Sequence, residues 1–312
     1  MSTIQFSSGD LVADRRADYA EGLLASGDAV AAADLYTQAL ALAPGWAAGW
    51  FRLGDIRAEH GLPEAAEAFA EALRLDPADQ MGAALRLELL NARPEAETMP
   101  SAFVETLFDQ YAPRFDHALV DTLAYRAPQL LGAQITGPFG RALDLGCGTG
   151  LMGAELRPLC DWLEGWDISA QMLHEAGAKG LYDALSKCDL SDLPAPAQQW
   201  DLITAADVFA YLGALEQIIA WVALALAPAG RFAFTTEAHE GPEPLVLRES
   251  CRYAHAETYL RDLLTQAGFA AQISRAELRQ DRGQPIIGFV VHAERIGSAA
   301  RRESDGEDMA LA

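Results

Sequence analysis

Arg141-Ala142-Leu143-Asp144-Leu145-Gly146-Cys147-Gly148-Thr149-Gly150-Leu151-Met152-Gly153 decides the fold. Its first residues make a short apolar run that reads as a buried strand. Glycines at every second position follow, and then Leu151, Met152, Leu156 and Leu159 recur at helical spacing. A strand running through a glycine turn into a helix start makes a concave pocket rich in backbone donors. Glycine lets the chain take positive φ and lets a ligand approach the main chain closely. The free N–H groups of a helix start favour negative charge. A nucleotide-like or carboxylate-bearing cofactor is the first expectation.

The turn can be read in two frames. Gly148-Thr149-Gly150-Leu151-Met152-Gly153 matches G-x-G-x-x-G, the dinucleotide fingerprint. Asp144-Leu145-Gly146-Cys147-Gly148-Thr149-Gly150 sets the first glycine against the strand and keeps an acid at the strand's end. That second frame resembles motif I of the class I S-adenosylmethionine-dependent methyltransferases. A carboxylate at Asp144 suits a cofactor carrying an ammonium and a sulfonium, and would repel a pyrophosphate. The fingerprint frame begins two residues late, so the methyltransferase frame ranks first. Cys147, inside the turn, reads as a small filler beside the ligand rather than a nucleophile.

Downstream, Trp162 to Ser169 reads as a second strand ending in Asp167, 17 residues after Gly150. An acid there can accept both ribose hydroxyls, in methyltransferases and NAD proteins alike. Ser169 is the better N-cap for the helix that follows. Ile168 joins the cofactor set, and Met172 either touches adenine or packs. Tyr182 to Cys188 reads as a third strand. Asp189-Leu190-Ser191-Asp192-Leu193-Pro194 resembles the D-L-x-x-L-P turn after strand three of the same superfamily. The resemblance implies that Asp189 accepts from the adenine amino group, with the backbone N–H of Leu190 on a ring nitrogen. A dehydrogenase has no need of that turn.

Trp200 to Gly213 reads as strand four and its exit loop. Open parallel sheets place ligands outside the carboxyl ends of their strands, which puts Asp207, Val208 and Tyr211 near the transferable methyl. A helix through Leu226, ended by Pro228, leads to strand five, Arg231 to Glu237, whose last residue is either substrate-facing or solvated. His239 to Ser250 is a polar loop long enough for a lid. His255 is the candidate general base, since histidine titrates near neutrality; a capping or packed histidine is the alternative. Arg252 and Tyr253 are candidates to orient an acidic substrate. Two closing strands fill 270–295, and the tail 297–312 has the composition of a disordered segment.

Upstream, Ser101 is expected to cap a helix carrying Phe103, Leu107, Phe108, Tyr111 and Phe115. Phe108 to Asp116 resembles the aromatic–acidic entry segment of small-molecule methyltransferases, which covers the cofactor. Phe108 and Phe115 read as packing, Tyr111 and Arg114 as partners of the cofactor carboxylate. Asn91 to Ser101, with two prolines and no apolar period, is the linker.

Ahead of the linker the chain repeats itself. Gly27, Ala32, Tyr36, Ala39 and Pro44 are answered by Gly61, Ala65, Phe69, Ala72 and Pro77, mostly 33 residues on. This resembles the tetratricopeptide repeat, two helices per unit. Two units bury too little alone, so a third helix, Ala78 to Leu90, is expected to cap the stack. The array is expected to dock on the C-terminal domain. An exposed groove of Trp46, Trp50 and Phe51 would point to a protein partner.

Composition narrows the partners. The chain has 312 residues, a length that favours two domains, and a formal net charge of −22. Lys179 and Lys187 are its only lysines. That balance argues against nucleic acid and against an anionic membrane surface. Cys147, Cys160, Cys188 and Cys251 fall in no zinc spacing, which favours a reducing, cytoplasmic setting and no metal.

The sequence thus predicts an α/β protein: a Rossmann-like doubly wound sheet over 102–296, preceded by an all-α tetratricopeptide-like array over 13–92. S-adenosylmethionine is the expected cofactor, with S-adenosylhomocysteine as product. Its expected contacts are Tyr111, Arg114, Asp144, Gly146, Cys147 and Gly148, then Gly150, Asp167, Ile168 and Met172, and lastly Asp189, Leu190, Asp207 and Val208. The catalytic candidates are His255, Tyr211 and Glu237. The expected acceptor is a small metabolite, methylated at oxygen or nitrogen. A protein recruited by the repeats and a non-catalytic cofactor-binding scaffold are the alternatives.

Overall fold

The computed structural model describes residues 7–91, 99–116, 123–281 and 283–296. The tail from 297 and most of the linker, 92–98, lie outside the described residues. The chain divides into two compact units, Met1–Ala96 and Glu97–Ala312.

The first unit is helical. Helices α1 (Leu11–Ala25), α2 (Ala29–Leu42), α3 (Ala47–Glu59), α4 (Ala65–Leu75) and α5 (Ala83–Leu89) follow one another. Asp10 caps α1 by accepting from the Val12 and Ala13 amides, and Asp28 caps α2 by accepting from Ala31. Ala13, Ala17 and Ala20 of α1 are fully buried, in one core with Ala32, Tyr36 and Ala39 of α2. Gly54 of α3 lies against the Phe69 ring, where a Cβ would come within 2.7 Å of Cδ1. The two positions are therefore matched, one absent side chain to one ring.

Of the three aromatic residues named for a groove, Trp46 is buried and Trp50 and Phe51 are half-buried. Trp46 stacks on Tyr36 with centroids 6.3 Å apart. Phe51 meets Phe69 edge-on at 5.4 Å, and Trp50 donates its indole N–H to the Pro44 carbonyl at 3.0 Å. All three rings thus take part in packing within the stack, Trp50 and Phe51 only in part. The capping helix also starts later than its apolar period predicts. Asp79, at φ 56°, turns the chain, and its carboxylate accepts from the Ala83 and Ala84 amides at 2.6 and 2.9 Å, which fixes the helix start at Ala83.

The second unit is built on one sheet. Strands β1 (Phe139–Leu145), β2 (Cys160–Asp167), β3 (Ala184–Lys187), β4 (Trp200–Ala205) and β5 (Leu226–His239) run parallel in the order β3-β2-β1-β4-β5. The hairpin β8 (Phe269–Asp281) and β9 (Gln284–Arg295) closes that edge, with β9 antiparallel to β5. The tip of β5 also pairs with β7 (Tyr253–Ala256), which pairs in turn with β6 (Leu245–Leu247). The segment read as a lid is thus partly built into the sheet. Helices α6 (Ser101–Tyr111), α7 (Ala127–Gly132), α8 (Leu151–Leu156), α9 (Ala170–Lys179), α10 (Glu216–Ala225) and α11 (Glu257–Gln266) complete the unit.

Alternate residues of β1 serve opposite faces. Leu143 and Leu145 pack in a core with Ile219, Val222 and Leu260 of α10 and α11. Ala142 packs in a second core with Leu131 of α7 and Leu156 of α8. After β1 the chain winds outward to β3 and then returns to β4 on the other side of β1. The strand order reverses there, and that switch point opens a crevice at the carboxyl ends of the strands.

Candidate active site

The glycine turn sits over the end of β1. Gly146 has φ 61° and Gly148 φ 54°, the left-handed region that glycine enters without strain. A Cβ on Gly146 would fall within 2.5 Å of a Val208 methyl. Beneath the turn Asp144 is buried, 1% exposed. Its Oδ2 accepts from the Tyr182 phenol at 2.7 Å and its Oδ1 from Thr204 at 2.9 Å. Burial pushes its carboxyl up to about 7, against the pull of those two donors.

Asp167 closes β2 beside the turn. Its Oδ2 accepts from the Gly148 amide and its Oδ1 from the Ser169 amide, both at 2.8 Å. Each oxygen keeps a lone pair for a ligand hydroxyl. Burial raises this acid too, to about 6. Asp189, after β3, accepts from the Ser191 amide at 2.9 Å and the Ser191 hydroxyl at 2.7 Å.

A largely apolar cleft runs across these groups. Gly146, Gly148, Asp167 and Ile168 line one stretch of it, Asp189 and Leu190 another, and Asp207, Val208 and Tyr211 a third. The face of α6 that carries Ser101, Val104 and Phe108 covers it, with Phe115 just beyond. Two acids pin that cover down. Asp109 accepts from the Ser169 hydroxyl at 2.6 Å, and Asp116 accepts from the Thr149 hydroxyl and from Lys179.

Several expected contacts lie elsewhere. Phe108 and Phe115, read as packing, line the cleft, whereas Tyr111 is 42% exposed and Arg114 is exposed. The cause is helix phase. At about 100° per residue Tyr111 stands roughly 60° round from Phe108, and Arg114 a further turn away. Asp144 is under the cleft rather than in its wall. Cys147 and Gly150 shape the turn without lining the cleft, and Met172 is fully buried in packing.

Two of the three catalytic candidates are also out of reach. His255 is fully buried in β7, with Nδ1 2.6 Å from Thr236 Oγ1 and Nε2 2.6 Å from the Gly213 carbonyl. Burial lowers its pKa to about 4, so it is a neutral structural ring. Glu237 is 1% exposed and taken up by Arg279 and Arg248. His239 pairs with Glu243 at 3.0 Å. Among the described residues no group of three His, Cys, Asp or Glu side chains is placed to hold one.

Sequence reasoning missed Tyr125, whose hydroxyl donates to the Ala206 carbonyl at 3.3 Å in the cleft wall. It also missed Arg279, 3% exposed, which forks onto Asp207 at 3.0 and 3.1 Å. Nothing local in Leu278-Arg279-Gln280 marks it; the pairing spans 72 residues. Asp207 itself holds φ 59°, an uncommon backbone state for a non-glycine residue.

The fit to S-adenosylmethionine can be judged on these groups. The glycine turn leaves room where a Cβ would collide, Asp167 offers two oxygens for a ribose diol, and Asp189 offers an acceptor one strand further on. The residues suit the ligand. The fold is the mixed α/β, Rossmann-like fold of methyltransferases.

The chain's likeness to known proteins agrees. Residues 142–230 match the family described as "Methyltransferase domain". Human methyltransferase-like protein 27 is 46% identical over 99 residues, covering 30% of this chain and 40% of that protein. This chain therefore spans well under two thirds of that relative. Malonyl-[acyl-carrier protein] O-methyltransferase of Enterobacter lignolyticus (strain SCF1) is 27% identical over 173 residues, 55% of this chain and 67% of that one. The solved DhpI-SAM-HEP complex superposes with a TM-score of 0.50 at 24% identity, covering 65% of this chain and 100% of that one. Among the described residues no helix is long and apolar enough to cross a membrane.

Proposed function

We propose that the C-terminal unit binds S-adenosylmethionine in this cleft and moves its methyl group to a small acceptor at oxygen or nitrogen. The observation that carries the reading is Asp167, whose two oxygens are fixed by the Gly148 and Ser169 amides at the mouth of the glycine turn. When bound, the donor supplies a methyl already activated on sulfur. The protein's part is then alignment, which is worth up to ~7–11 kcal/mol. Asp167 and Asp189 hold the donor's sugar and base, and Val208 and Tyr211 border the space beside its methyl. The name of the Enterobacter relative favours oxygen as the acceptor atom.

A protein acceptor recruited by the helical unit would need an exposed aromatic groove. Trp46 is buried and Trp50 and Phe51 are half-buried, which favours the small acceptor. Calorimetry with S-adenosylhomocysteine on the full chain tests the proposal: one site per chain supports it, and no binding, or binding of NAD instead, overturns it. A chain that binds the donor yet transfers no methyl to any metabolite fraction would be the non-catalytic scaffold.

A further inference from the structure

Three guanidinium groups and two carboxylates meet at the Tyr211 side of the cleft. Arg279 pairs with Asp207 and Glu237, and Arg248 reaches Glu237 at 3.1 Å. Arg252 approaches the same two acids only at 3.5 and 3.7 Å. Three cations against two anions leave one positive charge over. Burying an unbalanced charge is costly unless something completes the pairing. The protein as a whole carries −22, so this local surplus runs against its overall balance.

The surplus can be assigned to an atom. Arg252 Nη1 is buried and has no hydrogen-bond acceptor among the described residues. Its guanidinium lies over the Tyr211 ring, 5.1 Å from the centroid, and Arg252 and Tyr211 both line the cleft. Asp167 and Asp189 stand at the donor's positions instead. An arginine that lines a cleft, and whose Nη1 stands in ion-pair range of two acids but hydrogen-bonds to neither, is a site for a planar anion.

Among the described residues the lining also lacks a free base. Asp207 is held by Arg279, while His255 and Glu237 are outside the wall. A neutral hydroxyl or ammonium acceptor would have to lose a proton with none of the described residues placed to take it. An acceptor that arrives as an anion loses none.

Resting on the methyl-transfer reading above, we propose that the acceptor is a carboxylic acid, that Arg252 binds its carboxylate, and that a carboxylate oxygen receives the methyl. The new bond is O–CH3; the bond that breaks is C–S, whose electron pair stays on sulfur. An anion and a sulfonium give a neutral ester and a neutral thioether, with no proton moved. Arg252 holds the carboxylate plane and leaves one oxygen facing the methyl.

The test uses the full chain loaded with S-adenosylhomocysteine and a panel of straight-chain mono- and dicarboxylic acids, each beside its primary amide. At least one acid should raise Tm more than its amide does. With labelled donor, that acid should take up methyl in an alkali-labile form released as methanol. Arg252→Gln should weaken acid binding by ~10-fold or more and leave S-adenosylhomocysteine affinity unchanged. The free variant should be no less stable than the wild type, because Arg248 and Arg279 still balance Asp207 and Glu237. No preference for acids over amides, an alkali-stable product, or a destabilised Arg252→Gln would overturn the assignment. Failure of the wild type to bind S-adenosylhomocysteine would instead overturn the methyl-transfer reading beneath it.

Discussion

Tyr182 donates its phenolic hydrogen to Asp144 Oδ2 at 2.7 Å, from beneath the glycine turn. The same ring packs on Gly150, Gly153 and Gly165, so one side chain fixes both the acid and the backbone above it. Asp144 therefore supports the turn and does not reach the cleft.

The stability of the chain should carry the mark of that burial. The native carboxyl titrates near 7 and the unfolded one near 3.8, so between those values the native state holds the extra proton. Stability then falls as pH rises from about 4 to about 7 and is level above. Asp144→Asn removes this dependence. Its unfolding free energy, read from urea titrations, should exceed that of the wild type at pH near 8 by on the order of 1–3 kcal/mol, and the advantage should shrink toward pH 5. Parallel pH profiles for the two proteins would refute the account.

Donor affinity should depend on pH through Asp167. Its carboxyl is raised to about 6, and the ionised form is the one that accepts from ribose hydroxyls. Below pH 6 a proton occupies that acceptor, so S-adenosylhomocysteine should bind more weakly as pH falls from 7 to 5. Asp167→Ala should lose roughly 10–100-fold in Kd at pH 7.5 and flatten the profile, read by calorimetry. An alanine variant with wild-type affinity would show that the acid is only a brace for Gly148 and Ser169.

Most of the sheet was legible because its signals are local. The apolar run Ala142–Leu145, the glycines, and acids at the ends of successive strands all fall within short windows. The faces of α6 were harder. Resemblance to an entry motif named Tyr111 and Arg114, whereas helical phase from Ser101 through Val104 to Phe108 selects Phe108 and Phe115. Two of the catalytic candidates, His255 and Glu237, lie away from the cleft for a different reason. Burial of His255 and Glu237 depends on β5 and β7 pairing and on Arg279 arriving from β8, and sequence windows hold no such long-range contact.

Gly146→Ala tests the close approach at the turn. The left-handed φ of 61° costs an L-residue about 1–2 kcal/mol, and the added methyl meets Val208. Overpacking adds on the order of 1–3 kcal/mol. The variant should melt lower than the wild type and bind S-adenosylhomocysteine at least ~10-fold more weakly. Gly180→Ala, with a similar φ of 63° but no atom within 4 Å of its Cβ, is the control for backbone strain alone. Equal losses in both variants would assign the effect to φ and none to Val208.

His255 gives the sharpest separation between structure and chemistry. The ring is neutral in the fold, with a pKa near 4, while the unfolded chain takes up its proton near 6.5. The unfolded state binds more protons in that interval, so stability is lost as pH falls from 6.5 toward 4, by at most about 3 kcal/mol. His255→Gln can still donate to the Gly213 carbonyl and has no proton to gain. It should flatten the acid limb of the stability curve and lower kcat by less than ~10-fold, with the pH–rate profile above pH 6 unchanged. A general base at this position would give the opposite: loss of transfer by two orders of magnitude or more, roughly the worth of such a group, and disappearance of a limb near neutrality.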